Sequence, residues 1–284
     1  MSGSPRFSPQ WLALREPADA AARAGSLLEL LRPWLPTDRA TAIRDLGSGT
    51  GSMVRWLAPR LPGPQHWVLC DRDPQLLARA VESVPADAAD GTAVTAEPEV
   101  GELAAIRAAD LAGTTLVTAS ALLDVLTTTE LDALVEACTT AGCPALLTVS
   151  VVGRVELDPP HPMDAEIAAA FDDHQRRSAG GHRLLGPDAV AAAAERFMRV
   201  GAEVHRRPSP WQLGSADAEL TAQWLTGWVT AATEQRPELA PAAADYLRQR
   251  LASCTAGAMR AVVRHEDLLA LPARRPGATG GSST

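Results

Sequence analysis

At 284 residues, 46% hydrophobic and 21% charged, the chain can bury a full core, and one large elaborated domain is the natural expectation. The net charge of -8 and the dispersal of its arginines supply no basic face for phosphates, so DNA is not an expected partner. There is no lysine, which excludes a phosphate-binding P-loop, and no apolar run approaches the roughly 20 residues that span a bilayer.

Cys70, Cys138, Cys143 and Cys254 form no C-x-x-C pair and have no zinc-type His spacing. They read as reduced structural thiols, and with no secretory leader pattern the expected location is cytoplasmic and the expected metal content none.

Taken in order, residues 1–8 are small and polar and are expected to fray. Three-four spacing of apolar residues predicts a helical layer over 9–35, stopped by Pro36. Arg15, Glu16, Asp19 and Arg23 sit on it, either as a solvated face with i,i+4 pairs or as ligand contacts. Trp11 and Arg15 are its candidates for acceptor and cofactor contact.

A β-prone run over 40–44 then leads into Asp45-Leu46-Gly47-Ser48-Gly49-Thr50-Gly51-Ser52, and helical spacing resumes at Met53 and runs to about Leu61. Strand, glycine turn and helix let a ligand approach the backbone closely and meet N–H groups at a helix start. The spacing is G-x-G-x-G; the dinucleotide fingerprint would need glycine at position 52, which is serine.

The second strand, 66–70, ends in Asp71, about 20 residues beyond Gly51, where a Rossmann-like unit places a carboxylate on ribose hydroxyls. Asp73-Pro74 opens a helix through Val81, and an N-terminal capping role is the competing reading for this acidic pair. A third strand is expected over 92–100, followed by Glu102-Leu103, either adenine contacts or an exposed loop. Leu116 to Ser120 is the fourth strand and leads into Ala121 to Leu126, which carries Asp124 beside the same crevice. Thr129 is expected to cap a helix over 130–141 that Gly142 closes, and 145–152 is the fifth strand.

Beyond the fifth strand, residues 155–185 read as an interpolated segment with a helix from Met163 to about Arg176 and a Gly180-Gly181-His182 hinge. Leu185-Gly186-Pro187-Asp188 opens an alanine-rich helix ending near Gly201. A sixth strand covers 202–205, and helices cover 216–234 and 240–251. A short last strand, 259–263, suits the edge of the sheet.

This alternation predicts an α/β fold, a Rossmann-like, doubly wound, mostly parallel seven-stranded sheet. Residues 9–272 form one domain, with a cofactor-binding core at 40–150. Helical insertions at 153–184 and 212–255 form an acceptor cover over the carboxyl ends of the strands, and a disordered tail spans 273–284.

His161, His174 and His182 fall in that cover, and a general base near neutral pH is most often histidine. His174, beside Gln175, is the best candidate for binding or deprotonating an acceptor, although a satisfied polar helix residue is an equal alternative. Trp211, Trp224 and Trp228 either line an apolar acceptor pocket or belong to the core.

With these pieces assembled, the sequence resembles the class I S-adenosylmethionine-dependent methyltransferases. Asp45 to Gly51 is similar to that superfamily's first motif and Asp71-Arg72-Asp73-Pro74 to its second. The resemblance implies that Asp45 and the turn Gly47, Ser48, Gly49, Thr50 and Gly51 cradle the methionine portion of S-adenosyl-L-methionine. It further implies that Asp71 holds the ribose, that Arg72 flanks adenine, and that Glu102, Leu103 and Ser120 lie on the adenine side. Phe171 to Gln175, the Leu-Gly-Pro-Asp turn and Ser209-Pro210-Trp211 resemble bacterial small-molecule methyltransferases. The chain has no asparagine, so an Asn-Pro-Pro-Tyr motif for amino groups of nucleic-acid bases is absent.

The expected reaction is methyl transfer to an O-, N- or C-nucleophile on a small molecule, releasing S-adenosyl-L-homocysteine, by a monomer or homodimer. An NAD-dependent oxidoreductase and a non-catalytic S-adenosylmethionine-binding module are the rivals; an RNA methyltransferase is a more distant one.

Overall fold

Ser8 starts the first helix. In the computed structural model, which describes residues 8–101, 106–179 and 181–273, its hydroxyl accepts the Trp11 N–H at 3.1 Å and caps α1 (Pro9–Ala22). Apart from Ser8 and Ala273, the expected frayed start and disordered tail lie outside the described residues.

The single helix predicted over 9–35 is two. α1 ends at Ala22 and α2 (Ser26–Leu31) follows after a break at Arg23, whose backbone is extended. The cause is tertiary, because the Ala24 N–H is taken at 2.7 Å by a carboxylate oxygen of Asp267, 243 residues away.

The sheet begins with β1 (Thr41–Leu46), β2 (Gln65–Asp71), β3 (Val94–Val100), β4 (Leu116–Ser120) and β5 (Ala145–Asp158). A two-stranded ribbon follows, β6 (Ser178–Ala179) with β7 (His182–Arg183), then β8 (Glu203–Pro208), β9 (Trp211–Leu213) and β10 (Arg260–Leu271). Among the described residues the main sheet has eight strands in the order β3-β2-β1-β4-β5-β10-β8, with β9 paired to β10. The first five strands pair in parallel; β10 runs antiparallel to β5, β8 and β9.

Helices cover both faces. Leu27 and Leu31 of α2 pack with Met53 and Leu57 of α3 (Ser52–Leu57) under the buried Trp67. On the other face, Leu131 and Leu134 of α5 (Thr128–Ala141) pack with Val190 and Phe197 of α7 (Ala189–Arg199). Between β2 and β3, α4 (Pro74–Glu82) starts on Asp73, whose carboxylate accepts the Gln75 N–H at 2.9 Å. The cap of α5 is Thr127, not Thr129: Thr127 and Glu130 satisfy each other's backbone N–H groups in a capping box.

Two strands are longer than the sequence suggests, and one is not where it was expected. β10 is a twelve-residue interior strand between β5 and β8, not a short edge. Its polar run Arg264-His265-Glu266-Asp267 obscured it, although His265 and Asp267 are 3% and 1% exposed. β5 continues six residues past Val152 because Arg260 to Val263 pair with Asp158 to Val155. The pairing slips near Asp267, where Val149 is left-handed at φ 54°, a costly conformation for a β-branched residue. Asp267 holds this bulge by accepting the Val149 N–H at 2.8 Å.

Above the bulge, α6 (Asp164–Gln175), α8 (Ala218–Gln235) and α9 (Ala240–Thr255) share a separate core of Ile167, Leu225, Trp228, Val229 and Tyr246. Asp164 ties it together, accepting from the Tyr246 hydroxyl at 2.7 Å and pairing with Arg250. No helix among the described residues is long and apolar enough to cross a membrane.

Candidate functional site

The strand order reverses between β1 and β4, and an open α/β sheet binds ligands in the crevice at that point. The glycine turn lies there. Gly47, Gly49 and Gly51 have φ of 64°, 54° and 87°, a region costly for residues with a Cβ. A Cβ on Gly51 would come within 3.2 Å of the Ala80 backbone, so α4 approaches the turn closely.

Asp71, at the end of β2, accepts the Gly49 N–H at 2.9 Å and the Asp73 N–H at 3.0 Å, one on each carboxylate oxygen. It therefore joins the turn to the start of α4 and keeps acceptor capacity on both oxygens. Arg72 follows in the bend before α4.

Asp45 is 1% exposed and burial pushes its carboxyl up to about 7, against the Thr118 hydroxyl, which donates at 2.7 Å. Its other oxygen and the Ser48 hydroxyl are buried without protein partners. Thr50 lies in the turn, and its carbonyl accepts from Arg55. Glu102 and Leu103 lie outside the described residues.

α1 lies across this crevice, and its two faces do different work. Leu12 comes within 3.3 Å of where a Gly49 Cβ would stand, and Glu16 pairs with Arg55 of α3. At the break after α1, Arg23 is buried and donates to the Ser52 hydroxyl at 3.0 Å and the Ser120 hydroxyl at 2.9 Å. Its guanidinium also lies 5.5 Å from the Trp56 ring centre. This face is not solvated, and it brings the buried cation Arg23 to the start of α3, beside the glycine turn that Arg55 also contacts.

Arg15 is elsewhere. It pairs with Asp19 at 2.9 Å and lies 5.0 Å from the ring centre of Trp211, whose indole N–H donates to Asp19 at 2.9 Å. Helical spacing of four puts Trp11, Arg15 and Asp19 on one side of α1. That side faces a second compartment, a cavity of about 410 Å³.

This cavity is where the sequence-selected acceptor residues meet: Trp11, Asp124, His174, Gln175, Trp211 and Trp224 all line it. They arrive from α1, the turn after β4, α6, β9 and α8. Gln175 donates to Asp124 at 3.5 Å, and its amide oxygen is buried without a partner. Burial pushes the Asp124 carboxyl up to about 6, against the nearby cations Arg15 and Arg177. His174 is held below its ordinary value by burial and then by Arg177.

The sequence reading missed His265, which also lines the cavity. Burial, then the charge of Arg15, lowers its imidazole to about 4, and its Nδ1 has no partner. Alternation along a longer β10 would have placed it inward; the polar residues around it hid that strand. Asp172, raised to about 6 by burial, lines the wall where Gly153 at φ 69° lets α6 press against β5.

No protein-family model matches the chain, and no curated protein matches it. Among solved structures, the cyclopropane synthase MmaA2 from Mycobacterium tuberculosis is similar at 11% identity and a TM-score of 0.50, over 93% of this chain and 94% of that one. A methyltransferase from Geobacter sulfurreducens, solved with S-adenosyl-L-homocysteine, matches at 15% identity and 0.43, over 93% and 98%. The [4+2]-cyclase SpnF matches at 14% and 0.42, over 95% and 99%. The likeness to MmaA2, over nearly the whole of both chains, shows a shared fold at low identity.

Proposed function

We propose, from the class I S-adenosylmethionine-dependent methyltransferase fold that this chain adopts, that it transfers a methyl group from S-adenosyl-L-methionine to a small-molecule acceptor held in the tryptophan-lined cavity. The observation that carries the reading is the pairing of the two compartments. A glycine turn with Asp71 lies at the switch point, and a separate walled cavity opens on the other side of α1.

The residues present fit the cofactor. The unpartnered Asp45 oxygen and Ser48 hydroxyl, both beside the glycine turn, need polar partners. Asp71 accepts from the ribose hydroxyls with its remaining capacity, and Arg72 flanks adenine. Arg23, rather than Arg15, supplies the cation for the methionine carboxylate, with Ser120 and Ser52 orienting its guanidinium. Ser52 also weighs against a dinucleotide, because its side chain occupies the position of the third fingerprint glycine and accepts from Arg23.

When bound, the cofactor supplies an electrophilic methyl group on a sulfonium. The protein's own part is to align the acceptor and keep water out. Trp11, Trp211 and Trp224 wall the acceptor, and His174, Gln175 and Asp124 meet its polar end. Four buried free cysteines suit a reducing, cytoplasmic setting.

The test is incubation with methyl-labelled S-adenosyl-L-methionine and a fractionated metabolite extract. Label is expected to pass to a small organic molecule. Cofactor binding without transfer in any fraction would favour a non-catalytic module instead.

A further inference from the structure

The cavity walls describe their occupant. Four of the seven tryptophans, Trp11, Trp211, Trp224 and Trp228, line it together with Phe171. Trp224 and Trp228 stack at 5.2 Å between ring centres with only 21° between planes. A flat π surface gains most from such walls, whereas a flexible chain loses its rotamer freedom there without a matching gain in shape.

The polar groups narrow it further. Asp124 on the cavity wall is an acceptor that takes only a long bond from Gln175, so a ligand that brings a donor finds a partner there. Arg15 and Arg177 bear on Asp124, and Arg15 bears on His265, which stays neutral. Burial first and the charge of Arg15 second keep that imidazole uncharged, and both disfavour an ammonium ion there.

Asp124 stands in the turn Leu123–Val125, just past Ser120, which Arg23 links to the start of α3. Among the raised carboxyls of the cavity it is thus the one on the chain segment that leaves the crevice. Asp172, the other raised carboxyl of the cavity, is pressed toward Gly153 on β5.

Resting on the methyltransferase reading, we infer that the cavity binds a planar, largely apolar molecule bearing a neutral hydroxyl, and that Asp124 takes that hydroxyl's proton during transfer. The acceptor O–H bond breaks and its proton passes to an Asp124 carboxylate oxygen. The oxygen's electron pair forms the new O–C bond, and the pair of the breaking C–S bond stays on sulfur.

The full chain tests this with three probes, 2-naphthol, 1-decanol and 2-naphthylmethylammonium, each titrated calorimetrically. 2-Naphthol is expected to bind about tenfold tighter than either of the others. Equal or tighter binding of the linear alcohol or the ammonium overturns the substrate class. A titration with S-adenosyl-L-homocysteine reports separately on the parent reading, so binding of the homocysteine without 2-naphthol preference sinks this inference alone.

The proton step has its own readout, because excited 2-naphthol loses its proton to a nearby base in a site closed to water. Bound to the wild type it is expected to emit as the naphtholate, and bound to Asp124→Asn as the neutral form. Naphtholate emission surviving in Asp124→Asn removes Asp124 from the role. Should that variant fail to fold, the wild type and Asp172→Asn decide: emission in both is expected to fade as pH falls through about 6, and a flat profile, or loss of the naphtholate emission in Asp172→Asn, contradicts the assignment.

Discussion

At the residue scale, the cofactor side was legible where chemistry depends on spacing along the chain. Asp71 follows the glycine turn at a fixed distance because one helix separates two adjacent strands, and the fold leaves it bonded to Gly49. Arg23 reads from the sequence only as one of four charged helix residues, solvated or in ligand contact, since the helical spacing continues through a position where Asp267 breaks the helix. Its role has a differential test. Arg23→Met is expected to weaken S-adenosyl-L-homocysteine binding by about tenfold or more, from loss of a charge-assisted contact. Binding of 5′-methylthioadenosine, which has no carboxylate, should stay within about threefold by the same arithmetic. Calorimetry on both ligands checks this, and equal losses for the two would assign Arg23 to packing alone.

At the scale of elements, the parallel half of the sheet could be read directly, because short, mostly apolar runs such as Ala145 to Leu147 have few other uses. The antiparallel half could not. β10 carries buried charge that only makes sense once its distant partners are known: Asp267 accepts the N–H groups of Ala24 and Val149 and so fixes both the α1–α2 break and the β5 bulge. Asp267→Ala leaves both N–H groups without that carboxylate and is expected to destabilise the fold by about 2–4 kcal/mol. Chemical denaturation measures it; a loss within experimental error would show that the bulge stands without Asp267. Gly153→Ala is expected to cost about 2 kcal/mol, since the added Cβ would meet Asp172 Oδ2 at 2.6 Å in a left-handed backbone. The same denaturation experiment reads it, and an unchanged midpoint would contradict a tight α6–β5 contact.

At the scale of the whole molecule, α1 lies between the glycine turn and the tryptophan-lined cavity, and buried ionisable groups make stability depend on pH. Asp45, Asp124 and Asp172 hold protons in the folded state above their ordinary range, so they subtract stability as pH rises from about 4 to 7. His265 works in the opposite direction. Its folded value of about 4 lies below the ordinary 6.5, so its contribution is full above 6.5 and is lost as pH falls toward 4. Relative to His265→Gln, the wild type is therefore expected to lose about 1 kcal/mol between roughly pH 7.5 and 5.5. Paired denaturation curves at the two pH values check the sign, and a constant difference would mean that His265 is not held neutral.

The division into two compartments rests first on the glycine turn and Asp71 being the cofactor half. Calorimetric titration of S-adenosyl-L-homocysteine into the wild type and Asp71→Ala tests that most directly. The account predicts micromolar binding to the wild type, weakened about tenfold or more in a variant that still folds. Unchanged affinity in Asp71→Ala, or a wild type that binds a nicotinamide dinucleotide and not S-adenosyl-L-homocysteine, would contradict it.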